Sequence, residues 1–177
     1  VAVPAASMIT GPASEGQVFV RLRYNDKRQA LTDASVLRFS SRAQFTERDY
    51  AAGTPLPQLG LRRVFILTSG STCSASESII NALRGIDVQV ITIGTTTCGK
   101  PYGFTRKDNC GIAYFPIEFQ GTNAEGFGDY QAGFRPVCQI EDTGATPGGG
   151  SDALLAGAHT YADSGACRAG TATGVRA

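Results

Sequence analysis

A chain of 177 residues, 42% hydrophobic and 18% charged, can bury one core of ordinary size, which excludes a disordered or fibrous protein. Its net charge of +1 leaves no electrostatic footprint for nucleic acid or an anionic membrane as partner. No apolar run approaches the roughly 18 residues that a membrane helix needs.

In chain order, Ala2 to Ile9 are small and apolar and predict the end of a helix, stopped by Gly11-Pro12. Gln17 to Tyr24 alternates, with Val18, Val20, Leu22 and Tyr24 on one face, and predicts a strand. Asn25 to Leu61 is polar, lacks a clear period and reads as a surface excursion. Val64-Phe65-Ile66-Leu67 predicts a strand buried on both faces. After a turn at Ser69 to Thr72, Ala75 to Arg84 predicts a helix with Gly85 as its stop, and Val88 to Ile93 a second buried strand. Strand, helix and strand at this spacing form a βαβ unit, so the pairing should be parallel.

Gly94 to Gly103 reads as a loop, and Ile112 to Phe119 as one more strand that Pro116 places at an edge or a bulge. Gly121 to Gly133 reads as a glycine-rich, acidic surface loop. Ser151 caps a last helix over Asp152 to Ala162. The expected fold is α/β, with a mixed, mainly parallel sheet and flanking helices in one domain over residues 1–167. A disordered tail, 168–177, should follow it. There is no internal repeat. The chain begins at Val1 and carries no signal peptide, and we read it as a piece of a longer protein.

The five cysteines form no CxxC pair, and a single His is too few for most zinc patterns. Their number is compatible with disulfides and an oxidising compartment. Cys98 with Cys110 would close a short loop, and Cys138 with Cys167 would tie the last helix to the strand region. Cys73 would then be unpaired. The sequence does not fix this connectivity.

The candidate chemistry lies in Cys73-Ser74-Ala75-Ser76-Glu77 and in Thr97-Cys98-Gly99-Lys100. Ser74 follows a buried strand and opens a helix, where an open α/β sheet keeps its sites and where helix N–H groups are free. A serine hydroxyl needs a neighbouring base, and Ser/Lys pairs are one solution. The lysine must then be neutral. From an ordinary value of about 10.4 this needs a fall of roughly three units, which burial beside Pro101, Tyr102 and Phe104 would supply. The N–H of Ala75 could hold the oxyanion. Tyr102 and Phe104 could line a substrate pocket, or simply pack in the core.

Other readings compete. Ser74-Ala75-Ser76-Glu77 is also a capping box, and Lys100 taken alone is a solvated loop lysine. Gly94 to Lys100 satisfies G-x-x-x-x-G-K, the phosphate-loop pattern of nucleotide-binding domains. However, Pro101 stands where Ser or Thr should bind Mg²⁺, and no helix is expected to follow. His159 is the one histidine a Ser-His-Asp site could use, but a lone His on a half-apolar helix face is usually structural. Nothing marks the Cys73 thiol as acidic, which favours a small buried residue. Asp129 and Glu125 could hold Ca²⁺, but their spacing matches no known loop and favours solvated acids.

On these motifs the chain resembles the carboxyl-terminal-processing (tail-specific) serine peptidases, whose signature is Ser-Ala-Ser-Glu opening a helix, then a strand, then Gly-x-x-Thr-x-Gly-Lys. The resemblance spans residues 63–104, and Tyr114 to Phe119 and Gly128 to Phe134 resemble segments of a less-studied branch. It implies Ser74 as nucleophile, Lys100 as general base and the Ala75 N–H as oxyanion donor. The chain would be the C-terminal part of a catalytic domain with a ClpP/crotonase-like core, and would need no cofactor or metal.

The substrate would be a protein or peptide bound in extended form, cleaved in its C-terminal region through an acyl-enzyme in the bacterial periplasm, cell envelope or medium. The family's Leu-Asp-Leu-Arg-x-Asn-x-Gly-Gly strand is missing. Leu22-Arg23-Tyr24-Asn25 echoes it without the glycines, so the true motif, with a PDZ domain, is expected upstream of Val1. Without that oxyanion donor, typically worth about 10²–10³ in rate, this piece alone would be weak or inactive. The family's Asp near the end of the nucleophile helix is replaced by Gly85, with Asp87 close by. The alternatives are a phosphate-loop nucleotide-binding domain and a non-catalytic, peptide-binding remnant of a peptidase.

Overall fold

The structure, a computed structural model, describes residues 2–46, 51–141 and 152–167. The expected tail, 168–177, and the Ser151 cap lie outside the described residues. Helix α1 (Ala2–Thr10) leads into β1 (Val18–Arg23), followed by α2 (Gln29–Ala34), β2 (Val36–Arg38), β3 (Arg63–Thr68), α3 (Ala75–Arg84) and β4 (Gln89–Gly94). Then come β5 (Tyr102–Phe104), β6 (Lys107–Asn109), β7 (Ile112–Tyr114), β8 (Ile117–Thr122), β9 (Cys138–Gln139) and α4 (Asp152–Ser164).

The result is a mixed α/β fold with flanking helices. Parallel pairing is confined to one sheet, β3-β4-β9, while β2-β1-β8-β5 and the β6-β7 hairpin are antiparallel. The sheet is therefore less parallel than expected. The α3 crossover enforces parallel pairing of its own two strands, whereas β6 and β7 are joined by a tight turn and the other antiparallel pairs by longer connections.

The βαβ unit sits where the sequence placed it. β3 and β4 pair in register from Arg63 opposite Gln89 to Thr68 opposite Gly94. Successive β3 side chains go to opposite faces. Val64 and Ile66 pack with Ile80 and Leu83 of α3, while Phe65 and Leu67 pack with Leu154 and Tyr161 of α4. Helices thus cover both faces, which accounts for the continuous apolar runs.

Three regions depart from expectation. The excursion after β1 contains α2 and β2, because β2 finds its partner in β1, and Phe39 just beyond β2 is fully buried. The strand expected at Ile112 to Phe119 is split at Phe115-Pro116 into β7 and β8, as a proline that cannot join a ladder would do. Tyr130 and Phe134 belong to the core and stack on each other, so the end of the glycine-rich loop is not surface.

The cysteines pair as Cys73–Cys98 and Cys138–Cys167, with Cys110 free and exposed. The second bridge is the expected one, and the Cys98–Cys110 pairing is not. Register explains the difference. Thr68 and Gly94 are neighbours at the carboxyl ends of adjacent parallel strands, so the loops leaving them run side by side and bring the Cα atoms of Cys73 and Cys98 to 5.3 Å. Cys110 is carried off in the β6-β7 turn.

Since Ile80 is fully buried between α3 and β3, Ile80→Ala should cost about 2–5 kcal/mol in denaturant unfolding. Ile112→Ala, on exposed β7, should stay within about 0.5 kcal/mol.

Candidate active site

Ser74 lies beyond the carboxyl end of β3 and caps α3, at φ 53 and ψ −108. Only Asp87 and Cys110 share a positive φ among the described non-glycine residues. Such a conformation costs roughly 1–3 kcal/mol and survives only where its surroundings fix it. Here Ser74 N–H donates to Glu77 Oε2 at 3.0 Å, so the glutamate half of the capping box is formed. Ser78 N–H and Ser78 Oγ both donate to the Ser74 carbonyl. The next residue, Ala75, carries the first N–H of α3, which has no intrahelical acceptor.

Glu77 does more than cap. It is fully buried, and its carboxylate gathers the second loop as well. Oε1 accepts from Thr97 Oγ1 (2.6 Å) and Gly99 N–H (2.8 Å), while Oε2 accepts from Lys100 N–H (2.8 Å) in addition to Ser74 N–H. A buried carboxylate is tolerated only when its lone pairs are met this way. The sequence pattern marked Glu77 as a capping residue and gave no signal for its longer-range role.

The Lys100 loop is also clasped from outside. Thr97 N–H donates to the Phe134 carbonyl, and Phe134 N–H to Thr97 Oγ1 at 2.7 Å. Gly99, at φ +80, lies so close to this segment that a Cβ would fall 2.1 Å from the Gln131 carbonyl oxygen. Thr95 N–H and Cys98 N–H go to the carbonyls of Thr68 and Thr72. The amides that a phosphate loop would aim at a nucleotide are therefore spent inside the chain, and the strand β5 follows Lys100 where a helix would be needed.

Ser74, Lys100, Tyr102 and Phe104 line one cavity of about 250 Å³, together with Ser78 and Phe119. Four of the five residues singled out by sequence are thus brought together. The fifth, Ala75, lines a larger apolar cavity of about 600 Å³, which shares Val20 and Ser78 with the first. Lys100 departs from expectation in one respect. It is exposed, and its Nζ stands 5.4 Å from the centre of the Phe104 ring. The desolvation expected from its apolar neighbours is not present in the free chain, and a ring face attracts the charged amine.

Other candidates fall outside the cavity. His159 is exposed on α4, which packs on the sheet face opposite α3. Asp129 accepts from Gln120 Nε2 at 2.9 Å. The one metal-like grouping among the described residues, Cys73, Glu77 and Cys98, has both sulfurs joined to each other and so offers no thiolate. Cys73 is accordingly not a reactive thiol. Asp87 stands at the far end of α3, one helix length of about 15 Å from Ser74. Leu22 to Asn25 does not mimic the missing strand, because β1 pairs with β2 and β8 and not with β3. Tyr130 packs beside the site, and burial pushes its phenol above the ordinary value, with the Ser78 hydrogen bond acting the other way and the Glu77 carboxylate adding to the rise.

No protein-family profile and no curated protein matches the chain. Solved structures do. One described as an S41 protease from Bacteroides fragilis NCTC 9343 superposes with a TM-score of 0.66 at 24% identity, over 93% of this chain and 41% of that one. The photosystem II D1 C-terminal processing protease does so with a TM-score of 0.51 at 19% identity, over 79% and 30%. The chain spans less than half of each of these proteins. The fold is similar to the S41 protease fold.

Glu77→Gln turns one acceptor oxygen into an NH₂ that faces two donors. It should lower stability by about 1–3 kcal/mol in chemical denaturation. Gly99→Ala should also destabilise, and Ser71→Ala, on the exposed turn, should not.

Proposed function

We propose that the chain is part of the catalytic domain of a serine endopeptidase in which Ser74 is the nucleophile and Lys100 its base. The observation that carries this reading is that both residues line one cavity beyond the carboxyl edge of a parallel βαβ unit, with their backbones held by the same buried carboxylate. The similarity to the S41 protease fold supports it.

In this reading Lys100 Nζ takes the proton of Ser74 Oγ as the oxygen attacks the scissile carbonyl. The N–H of Ala75 holds the oxyanion, at the positive end of α3. Lys100 returns the proton to the leaving amine, and water, activated the same way, releases the acyl group from Ser74. A general base must be uncharged and Lys100 is exposed, so in this reading the substrate itself covers it. A peptide laid along β5, the edge strand of its sheet, would do this with Tyr102 and Phe104 as walls.

Cleavage near protein C-termini is in line with the name of the photosystem II D1 C-terminal processing protease. A ClpP/crotonase-like core, an upstream PDZ segment and a second oxyanion donor complete it. Two disulfides fit an oxidising compartment, hence the periplasm, cell envelope or medium.

In the full-length protein, Ser74→Ala and Lys100→Ala should each lower peptide hydrolysis by at least about 10³-fold without loss of folding. Lys100→Arg should not restore it, since a guanidinium does not give up its proton. Acyl-enzyme should accumulate on Ser74 and on no other serine. Full activity in Ser74→Ala would remove the peptidase reading. Peptide binding without turnover in the wild type would replace it with the non-catalytic one.

A further inference from the structure

Besides the hydrogen bond from Cys98 N–H to the Thr72 carbonyl, the Ser74 turn and the Lys100 loop are joined twice. One join is the Glu77 carboxylate. The other is covalent, since Cys73 immediately precedes Ser74, Cys98 stands two residues before Lys100, and the two cysteines are bonded to each other. The regular pairing of β3 with β4 ends at Thr68 and Gly94, so beyond that edge the sheet itself no longer sets the separation of the two loops. The Cys138–Cys167 bridge ties the end of α4 to β9 and touches neither loop.

The position of the Cys98 sulfur adds a second consequence. Cys98 Sγ lies 3.6 Å from Glu77 Oε2, the oxygen that accepts from both Ser74 N–H and Lys100 N–H. In the disulfide this sulfur carries no proton. As a thiol it becomes a donor beside an oxygen already used by the two amides that place the nucleophile and the base. Breaking the bond therefore does two things at once. It cuts the tether, and it sets a competitor on the carboxylate that remains.

From this geometry we infer that the Cys73–Cys98 disulfide is a positioning cross-link of the Ser/Lys pair, so that the oxidised site is competent and dithiol reduction impairs it. The inference rests on Ser74 and Lys100 being nucleophile and base. The reductant is a dithiol. Its thiolate attacks the sulfur of Cys98, the more exposed of the two residues, forming a mixed disulfide and releasing Cys73 as a thiolate that takes up a proton. The second dithiol sulfur then closes on the first and frees Cys98. Two electrons and two protons pass to the protein, and the dithiol leaves as a cyclic disulfide.

A purely structural bridge would change unfolding and leave turnover of the folded protein alone, so the test reads both. The full-length protein is treated with dithiothreitol well below its unfolding temperature. Alkylation and mass analysis identify the reduced cysteines, near-ultraviolet circular dichroism reports folding, and a fluorogenic peptide reports kcat and KM. The expected result is a fall in kcat of about ten-fold or more that tracks alkylation of Cys73 and Cys98, with KM changed by less than about two-fold. Oxidised glutathione should restore kcat.

The double variant Cys73→Ala with Cys98→Ala, which cuts the tether without adding a donor, should lose less than the reduced wild type and should not respond to dithiol. An unchanged kcat with Cys73 and Cys98 alkylated and the fold intact overturns the inference and leaves the peptidase reading standing. So does a loss of kcat that follows only the circular dichroism signal. A Ser74→Ala protein that hydrolyses the peptide as well as wild type removes the peptidase reading, and this inference with it.

Discussion

The site depends on one buried carboxylate. Removing Glu77 from water carries a desolvation penalty that an isolated ion could not meet. The cost is offset because each oxygen has two donors, one pair from Thr97 and Gly99 and the other from Ser74 and Lys100. Charge-assisted bonds of this kind are about twice as strong as neutral ones. They also have direction, and an acceptor with four donors fixes the position of each. Three of the four donors are backbone N–H groups, so Glu77 orders main chain on both sides of the cavity without using up either the Ser74 hydroxyl or the Lys100 amine.

Several features that look separate follow from that arrangement. The left-handed backbone at Ser74 is sustained because its N–H has a fixed partner and its carbonyl has two. Gly99 is needed because the loop must turn its amide inward while Gln131 closes over it. The core position of Tyr130 and Phe134 becomes intelligible too, since the segment carrying them supplies the clasp on Thr97. The phosphate-loop pattern at Gly94 to Lys100 is then a coincidence of composition. Glycines that let backbone amides converge on an anion serve equally well when the anion is a glutamate of the same chain.

How much of this was legible in the sequence depends on range. The βαβ unit was readable because its signals are local, in two apolar runs, an amphipathic helix with a cap and a stop, and spacing that forces a parallel crossover. That Ser74 and Lys100 lie at one cavity was readable because parallel strands deliver their loops to one edge. By contrast, α2 and β2 have little apolar period of their own and exist because β1 offers a ladder. The Cys73–Cys98 bridge has no local signal, because register and not proximity along the chain sets it, and the same parallel pairing that carries Ser74 and Lys100 to one cavity brings these cysteines together. The role of Glu77 was hidden because a capping box and a carboxylate hub have the same local sequence, and only the loop some twenty residues later distinguishes them.

The exposure of Lys100 follows from the same construction. Its main chain is anchored inward on Glu77, while its side chain is sent outward over Phe104 and into the cavity wall. In the free chain the side chain is open to water. If the proposed substrate lay against β5, it would displace that water from one side while Phe104 stands on the other, so neutrality of the amine would be acquired with the substrate rather than stored beforehand. This separates two jobs that burial would have merged. Glu77 and the bridge beside it hold the two backbones in the oxidised, free chain. Under the proposed reading, the electrostatic change that Lys100 needs to act as a base is left to the moment of binding.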